Sequence, residues 1–223
     1  MPFVLGISGK AKHGKGTASK AIKASLEGMG YSVENISFSD IIRSECASLV
    51  VEEHPYVSYE DAILWMTDQK LKDAHNDILG CTPRSIMQDY GNKMRQEHGV
   101  NYFIRKAFEN MPDVDIVIND SVRFDNEIDA ILNNSELGLV ISVFNPYTRI
   151  VESNDLTENG ISDGYEKSKI SYQITNLHVP EDTDCRVDGI DESMNDDDAI
   201  MEGVAVVSGM VNSQINSSVE MAI

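Results

Sequence analysis

"FVLGISGKAKHGKGTASKAI", residues 3–22, decides how the whole chain is read. It opens as a compact apolar run, turns abruptly into glycine and lysine, and resumes as a helical pattern. A short apolar run closed by glycine and serine reads as a strand buried on both faces of a parallel sheet. Ala18, Ile22, Ser25, Leu26 and Met29 then recur at helical spacing, with Gly28 and Gly30 as stop signals, which predicts a helix over residues 17–29. Between strand and helix, Gly9, Gly14 and Lys15 stand in the G-x-x-x-x-G-K arrangement, in the context that arrangement requires. No acidic residue precedes Glu27, although the chain carries 37 Asp and Glu against 18 Lys and Arg.

The physical chemistry of such a junction is specific. Glycines let backbone N–H groups converge on one point with no side chain in the way. The helix that follows adds N–H groups without intrahelical acceptors and the positive end of its dipole. Lys15 supplies a full charge that follows the β- and γ-phosphates of a nucleotide. Gly9, Lys12, His13, Gly14, Lys15, Gly16 and Thr17 are the expected neighbours of ATP phosphates, with the Thr17 hydroxyl a ligand for Mg²⁺. The usual pattern has Ser or Thr directly after the lysine. Here Gly16 takes that slot and the hydroxyl comes one residue later. Lys10 and Lys12 add to the local field, and His13 is read as a spacer that tolerates the turn.

Farther along, "YSVENISF" alternates as a second strand, and Ser39 or Asp40 is expected to cap a helix through "IIRSECASLV". Ser58 is the expected cap of a longer helix reaching residue 79. Thr82 followed by Pro83 is a start signal, a cap residue and then proline at the first helical position, for a helix to about Gln96. "NYFIRKAFENM" continues helical until Pro112. "VDIVIND" reads as a strand ending at Ile118, "DNEIDAILNN" as a helix, and "LGLVISVFN" and "ISYQIT" as two more strands. The alternation predicts an α/β fold: a three-layer sandwich of the P-loop NTPase type, with a mostly parallel sheet of about five strands and a small lid. The chain is read as one domain over residues 1–223, with a lid-like polar excursion at 146–168, an acidic loop at 180–197 and a final helix at 198–215.

A protein that moved a phosphoryl group from such a loop would need a second, anionic substrate, and "TPRSIMQDYGNKMRQ" offers a place for it. Ile86, Met87, Tyr90 and Met94 share an apolar face. Arg84, Gln88 and Arg95 form a stripe on another face, with Gly91 in it. Two guanidiniums suit a phosphate gripped by two oxygens, and a glutamine amide suits a base edge. At the carboxyl edge of the third strand, Asp120 is placed to order a Mg²⁺ water or accept a proton, and Arg123 to bind phosphate, with Glu127 orienting Arg123. Asp40 and Arg43 follow the second strand, Asp40 as a cap or near a sugar hydroxyl and Arg43 near a substrate phosphate. In the polar excursion, Arg149, Lys167 and Lys169 are candidates for a closing lid, with Arg149 toward ATP.

The formal charge of −19 argues against a nucleic-acid backbone as partner, which needs broad positive surface. From Glu181 to Ile223 there are 11 acids and one base, Arg186. A solvated acidic face is the favoured account of this, with adaptation to high salt as the alternative. No apolar run approaches the ~20 residues that span a bilayer, so no membrane is expected. Cys46, Cys81 and Cys185 form no CxxC pair and read as reduced thiols of a cytoplasmic protein.

"GKAKHGKGT", "FSDIIR", "TPRSIMQDYG" and "NDSVRFDNEIDAI" together resemble, in the same order, the P-loop deoxynucleoside monophosphate kinases of the bacteriophage type, over residues 3–176. Where many of those proteins carry Asp two residues before the arginine of the last motif, this chain has Ser121, with Asp120 one earlier. The resemblance implies phosphoryl transfer from ATP to a (deoxy)nucleoside monophosphate, with Mg²⁺ and a closing lid. By position it gives Gly14, Lys15, Gly16 and Thr17 to the ATP phosphates, and Arg84, Gln88 and Arg123 to the acceptor. Lys15, Arg84, Arg123 and Asp120 are the expected catalytic residues. A kinase for another small phosphorylated or acidic metabolite and a non-catalytic ATP-binding module are the alternatives, and a homodimer is compatible with either.

Overall fold

The computed structural model describes residues 1–10, 12–134, 137–148, 169–179, 196 and 198–221. In chain order the elements are β1 (Phe3–Ser8), α1 (Lys15–Gly28), β2 (Val33–Ile36), α2 (Phe38–Glu53), α3 (Tyr59–Thr67), a 3₁₀ turn (Leu71–Asp73), α4 (Pro83–His98), α5 (Tyr102–Glu109), β3 (Ile116–Val122), α6 (Asp125–Asn134), β4 (Gly138–Phe144), β5 (Tyr172–Thr175) and α7 (Ala199–Met221). They fall into two compact units, Met1–Ile36 with Met111–Ile223, and Ser37–Asn110.

The first unit is an α/β structure on five strands in the order β2-β3-β1-β4-β5. Every pairing is parallel. β1 is the centre, and all six of its residues are buried, which is why its sequence is continuously apolar rather than alternating. Its odd residues Phe3, Leu5 and Ile7 pack with Ile116 and Ile118 of β3, Ile141 and Val143 of β4, Ile22 and Leu26 of α1, and Val204, Val207 and Val211 of α7. Its even residues face the other way: a methyl on Gly6 would sit 2.6 Å from Ile131 Cδ1 of α6. Helices therefore cover both faces. Each fully buried Ile or Leu contributes roughly 1.5–3 kcal/mol, so this double-sided core dominates the unit's stability.

Two boundaries differ most from expectation. β3 does not stop at Ile118 but continues to Val122. The final helix, expected over 198–215, runs from Ala199 to Met221. Asp196 Oδ1 fixes its start by accepting the N–H groups of Asp198 (3.0 Å) and Ala199 (3.1 Å). Beyond Asn212, which accepts the Tyr31 hydroxyl at 2.7 Å, no glycine or proline ends the helix.

The second unit is helical. Cys46, Ala47, Val50, Val57, Ala62 and Met66 form its core, with Ile86, Met87 and Tyr90 of α4 packed against it as their spacing predicts. The cap of α2 is Ser37, not Ser39 or Asp40. Ser37 Oγ accepts Ser39 N–H at 3.2 Å, and Asp40 closes a reciprocal capping box by accepting Ser37 N–H at 2.9 Å. Ser58 caps α3 as expected, but α3 ends at Thr67 instead of reaching residue 79. Asp68 Oδ1 accepts the N–H groups of Lys70 and Leu71, both at 2.9 Å. Asn76 Oδ1 does the same for Ile78 (3.0 Å) and Leu79 (3.3 Å). These local bonds offer the backbone an alternative to the helix, and here they prevail. Thr82 and Pro83 start α4 as predicted.

Candidate functional site

The loop from Gly9 to Gly14 joins β1 to α1, and its shape is dictated by backbone conformations few residues adopt. Gly9 has φ 139°, Lys12 φ 63° and Gly14 φ 95°. Close neighbours restrict the two glycines further. A Cβ at Gly9 would lie 2.5 Å from the carbonyl oxygen of Val143, and one at Gly14 would lie 2.4 Å from Asn176 Nδ2. Asn176, just past β5, donates to the carbonyl oxygen of His13 at 3.1 Å. His13 is 4% exposed, with Nδ1 3.3 Å from Val143 O and its ring edge-on to Phe144. A carbonyl only accepts, so Nδ1 carries the proton. Burial, reinforced by the charges of Lys15 and Lys10, holds this imidazole below its ordinary range. His13, expected among the ATP contacts, is thus a neutral strut between loop and sheet, the spacer role its position suggested.

α1 begins at Lys15 with no side-chain cap and no acid in its first turn. The N–H groups of such a first turn have no intrahelical acceptor. Lys15 Nζ folds back over the loop and donates to the carbonyls of Gly9 (2.6 Å) and Lys10 (2.9 Å). Gly16 and Thr17 are exposed, and a Cβ at Gly16 would meet nothing within 4 Å. Ammonium, open helix start and exposed hydroxyl are thereby gathered on one turn. Lys12 is exposed, and its carbonyl accepts from Thr148 Oγ1 at 3.4 Å.

β3 supplies the neighbouring edge. Gly6 pairs with Asn119 and Ser8 with Val122, so two steps along β1 match three along β3. The extra residue is a β-bulge, and Asn119 makes it: its Oδ1 accepts the N–H (3.0 Å) and hydroxyl (2.9 Å) of Ser121. Asp120 therefore lies within the bulged end of the strand, partly exposed. Arg123 is half-buried. Glu127, expected to orient the Arg123 side chain, accepts main-chain N–H groups of Arg123 (2.6 Å) and Phe124 (3.1 Å). Asn119 Nδ2 and Ser8 Oγ are fully buried and have no hydrogen-bond partner among the described residues. Among the described residues, no group of three or more His, Cys, Asp or Glu gathers into a metal cluster.

In the second unit the expected acceptor residues have partners of their own. Arg84 grips Asp73 with two bonds, Nε to Oδ1 and Nη2 to Oδ2 (3.1 Å). Arg43 pairs with Asp40, whose other oxygen serves the capping box. The stripe Arg84, Gln88, Gly91, Arg95 is split. Gln88 is exposed and Gly91 buried. Arg95 lies over the Phe103 ring, 5.3 Å from its centroid. A Cβ at Gly91 would meet Arg95 Nη1 at 3.1 Å and Ile42 Cδ1 at 3.7 Å. Arg95 thus lies where a side chain at Gly91 would stand. Sequence reasoning missed Asp73, hidden in the overlong helix, and Glu45, which accepts the hydroxyls of Tyr90 (3.0 Å) and Tyr102 (3.2 Å) and the ammonium of Lys106. No local signal marks Glu45, since its partners come from other helices. It missed Asn176 for the same reason. Arg149, Lys167 and most of the 146–168 and 180–197 stretches lie outside the described residues. Lys169 is described, and it pairs with Asp129.

No protein-family model matches the chain, and no curated protein matches it.

Proposed function

We propose that this chain transfers the terminal phosphoryl group of ATP to a (deoxy)nucleoside monophosphate, giving the diphosphate. One observation carries the reading. β1 and β3 are neighbours whose onward connections go to opposite sides of the sheet, α1 leading to β2 and α6 to β4. Open α/β sheets bind ligands at such a switch point, outside the carboxyl ends of the strands. The glycine loop with Lys15 leaves β1 there, and Asp120 to Arg123 end β3 there. The all-parallel sheet covered on both faces is compatible with a P-loop sandwich.

In this reading the N–H groups of the first turn of α1 hold the donor's phosphates. Lys15 exchanges its two carbonyl acceptors for phosphate oxygens, which costs it little because the carbonyls are neutral and phosphate is not. Arg123 balances charge on the moving group, and Arg84 and Gln88 hold the acceptor. A phosphate oxygen of the acceptor attacks the γ-phosphorus, the bond to the bridging β–γ oxygen breaks, and ADP leaves. That oxygen is already anionic, so no strong general base is required, and catalysis rests on position and positive charge. Thr17 and Asp120 are hard oxygen donors, and Mg²⁺ held by few protein ligands plus phosphates fits them. When bound, it would neutralise charge on the β- and γ-oxygens.

The test is a turnover screen of ATP with the common ribo- and deoxyribonucleoside monophosphates, on the parent and on Lys15→Ala. The parent should convert at least one monophosphate, and Lys15→Ala should lose roughly 10²–10³-fold. Tight ATP binding with no product from any acceptor would favour the non-catalytic module. Turnover only with other acidic metabolites would favour a different kinase.

A further inference from the structure

We propose that Asp73 is an internal competitor for the acceptor's phosphate, occupying the fork of Arg84 that the phosphate must take. This rests on the reading of Arg84 as an acceptor-binding residue and adds what controls it.

The geometry is set locally on both sides. Arg84 follows Pro83 in the first turn of α4, whose start is fixed by Thr82 accepting Ser85 N–H at 3.2 Å. Asp73 ends the 3₁₀ turn that Asp68 nucleates through its bonds to Lys70 and Leu71. Neither position depends on the ion pair, so two independently placed groups meet. They meet through Nε and Nη2 on one side and both carboxylate oxygens on the other. That fork-to-fork pattern is the one a phosphate monoester uses with arginine. The same edge of the guanidinium cannot serve both partners at once.

The contact is also weak enough to give way. Both side chains are 43% exposed, and exposed ion pairs contribute little because water and salt screen them. The Arg84 bond holds the Asp73 carboxyl below its usual range, so the competitor stays anionic at neutral pH. A guanidinium engaged for part of the time lowers apparent affinity by the fraction that is free. For an exposed pair that amounts to about a two- to five-fold loss in acceptor binding.

The experiment is calorimetric titration of the full chain with the panel of nucleoside monophosphates, then of the tightest one into Asp73→Asn, Asp73→Ala, Arg84→Ala and the double variant Asp73→Ala/Arg84→Ala. Circular dichroism checks that each is folded, and Asp73→Asn keeps the side-chain shape. The expected result is a gain of about two- to five-fold for both Asp73 variants. Arg84→Ala should lose about ten-fold or more. The double variant should match Arg84→Ala, because the gain exists only where there is a guanidinium to release. Asp73 variants binding no tighter than the parent, while Arg84→Ala weakens binding, would overturn the competitor role and leave the acceptor reading standing. If Arg84→Ala binds like the parent, or no monophosphate binds at all, the acceptor reading itself fails and the competitor falls with it.

Discussion

Gly14 and Gly16 stand two residues apart in the same motif and are glycine for different reasons. Gly14 has a left-handed φ of 95° and Asn176 Nδ2 where a Cβ would go. Gly16 has an ordinary helical position with open space around it. Gly14→Ala should therefore destabilise the fold by about 1–3 kcal/mol. Gly16→Ala should leave stability equal or raise it by up to about 1 kcal/mol, and, on the proposed function, should weaken ATP binding because a methyl would intrude on the donor phosphates. Urea unfolding and nucleotide titration on the two variants separate the effects, and a Gly16→Ala variant that binds ATP like the parent would show that this position faces no ligand. His13 makes a second residue-level prediction. Its folded-state affinity for protons is depressed by burial, so the unfolded chain binds the proton more readily. Stability should be fully present above the ordinary imidazole pKa of about 6.5 and fall as pH drops below it. Urea midpoints between about pH 7 and 5.5 should show that decline, and His13→Gln should flatten it.

Glu45 shows how elements are pinned together. From α2 it reaches Tyr90 of α4 and Tyr102 and Lys106 of α5, using both oxygens. The Tyr90 phenol is held far above the ordinary tyrosine range by burial and by its bond to Glu45. Glu45→Ala would strand these donors and should cost about 1–3 kcal/mol. Glu45→Gln keeps an acceptor, loses only a part-exposed ion pair, and should cost about 1 kcal/mol or less. Equal loss from both, in denaturant titrations, would place the effect in packing rather than in the bonds. The element scale is also where the sequence was most and least legible. Strands, α4 and the glycine loop between β1 and α1 announced themselves, because their signals are local: continuous apolar runs, Thr-Pro, glycine spacing. The early end of α3 did not, since residues 59–79 keep a helical pattern while Asp68 and Asn76 divert the backbone. The bulge in β3 hid likewise, being made by one asparagine side chain. Asp73, Glu45 and Asn176 were illegible because their roles come from partners distant in sequence.

At the scale of the molecule, the charge of −19 is the leading fact. Self-repulsion of that size weakens a compact state at low ionic strength. The melting temperature should rise by several degrees between about 0.01 M and 1 M KCl, as the Debye length falls from about 30 to 3 Å. A flat or falling curve would mean the acidic residues are already offset within the fold.

The pairing pattern has a consequence for how the chain comes into being. Of the described strands β1 is made before the others, yet its neighbours are β3 and β4, and Phe3 finds its partner only at Ile116. β2 waits for the same strand. On the ribosome, the wholly buried strand β1 therefore emerges with nothing to pair with until the helical unit Ser37–Asn110 has been synthesised. That unit has its own core and can collapse first, shortening the effective loop that β1 must close. Birth order thus runs opposite to depth: the central strand precedes both neighbours that shelter it.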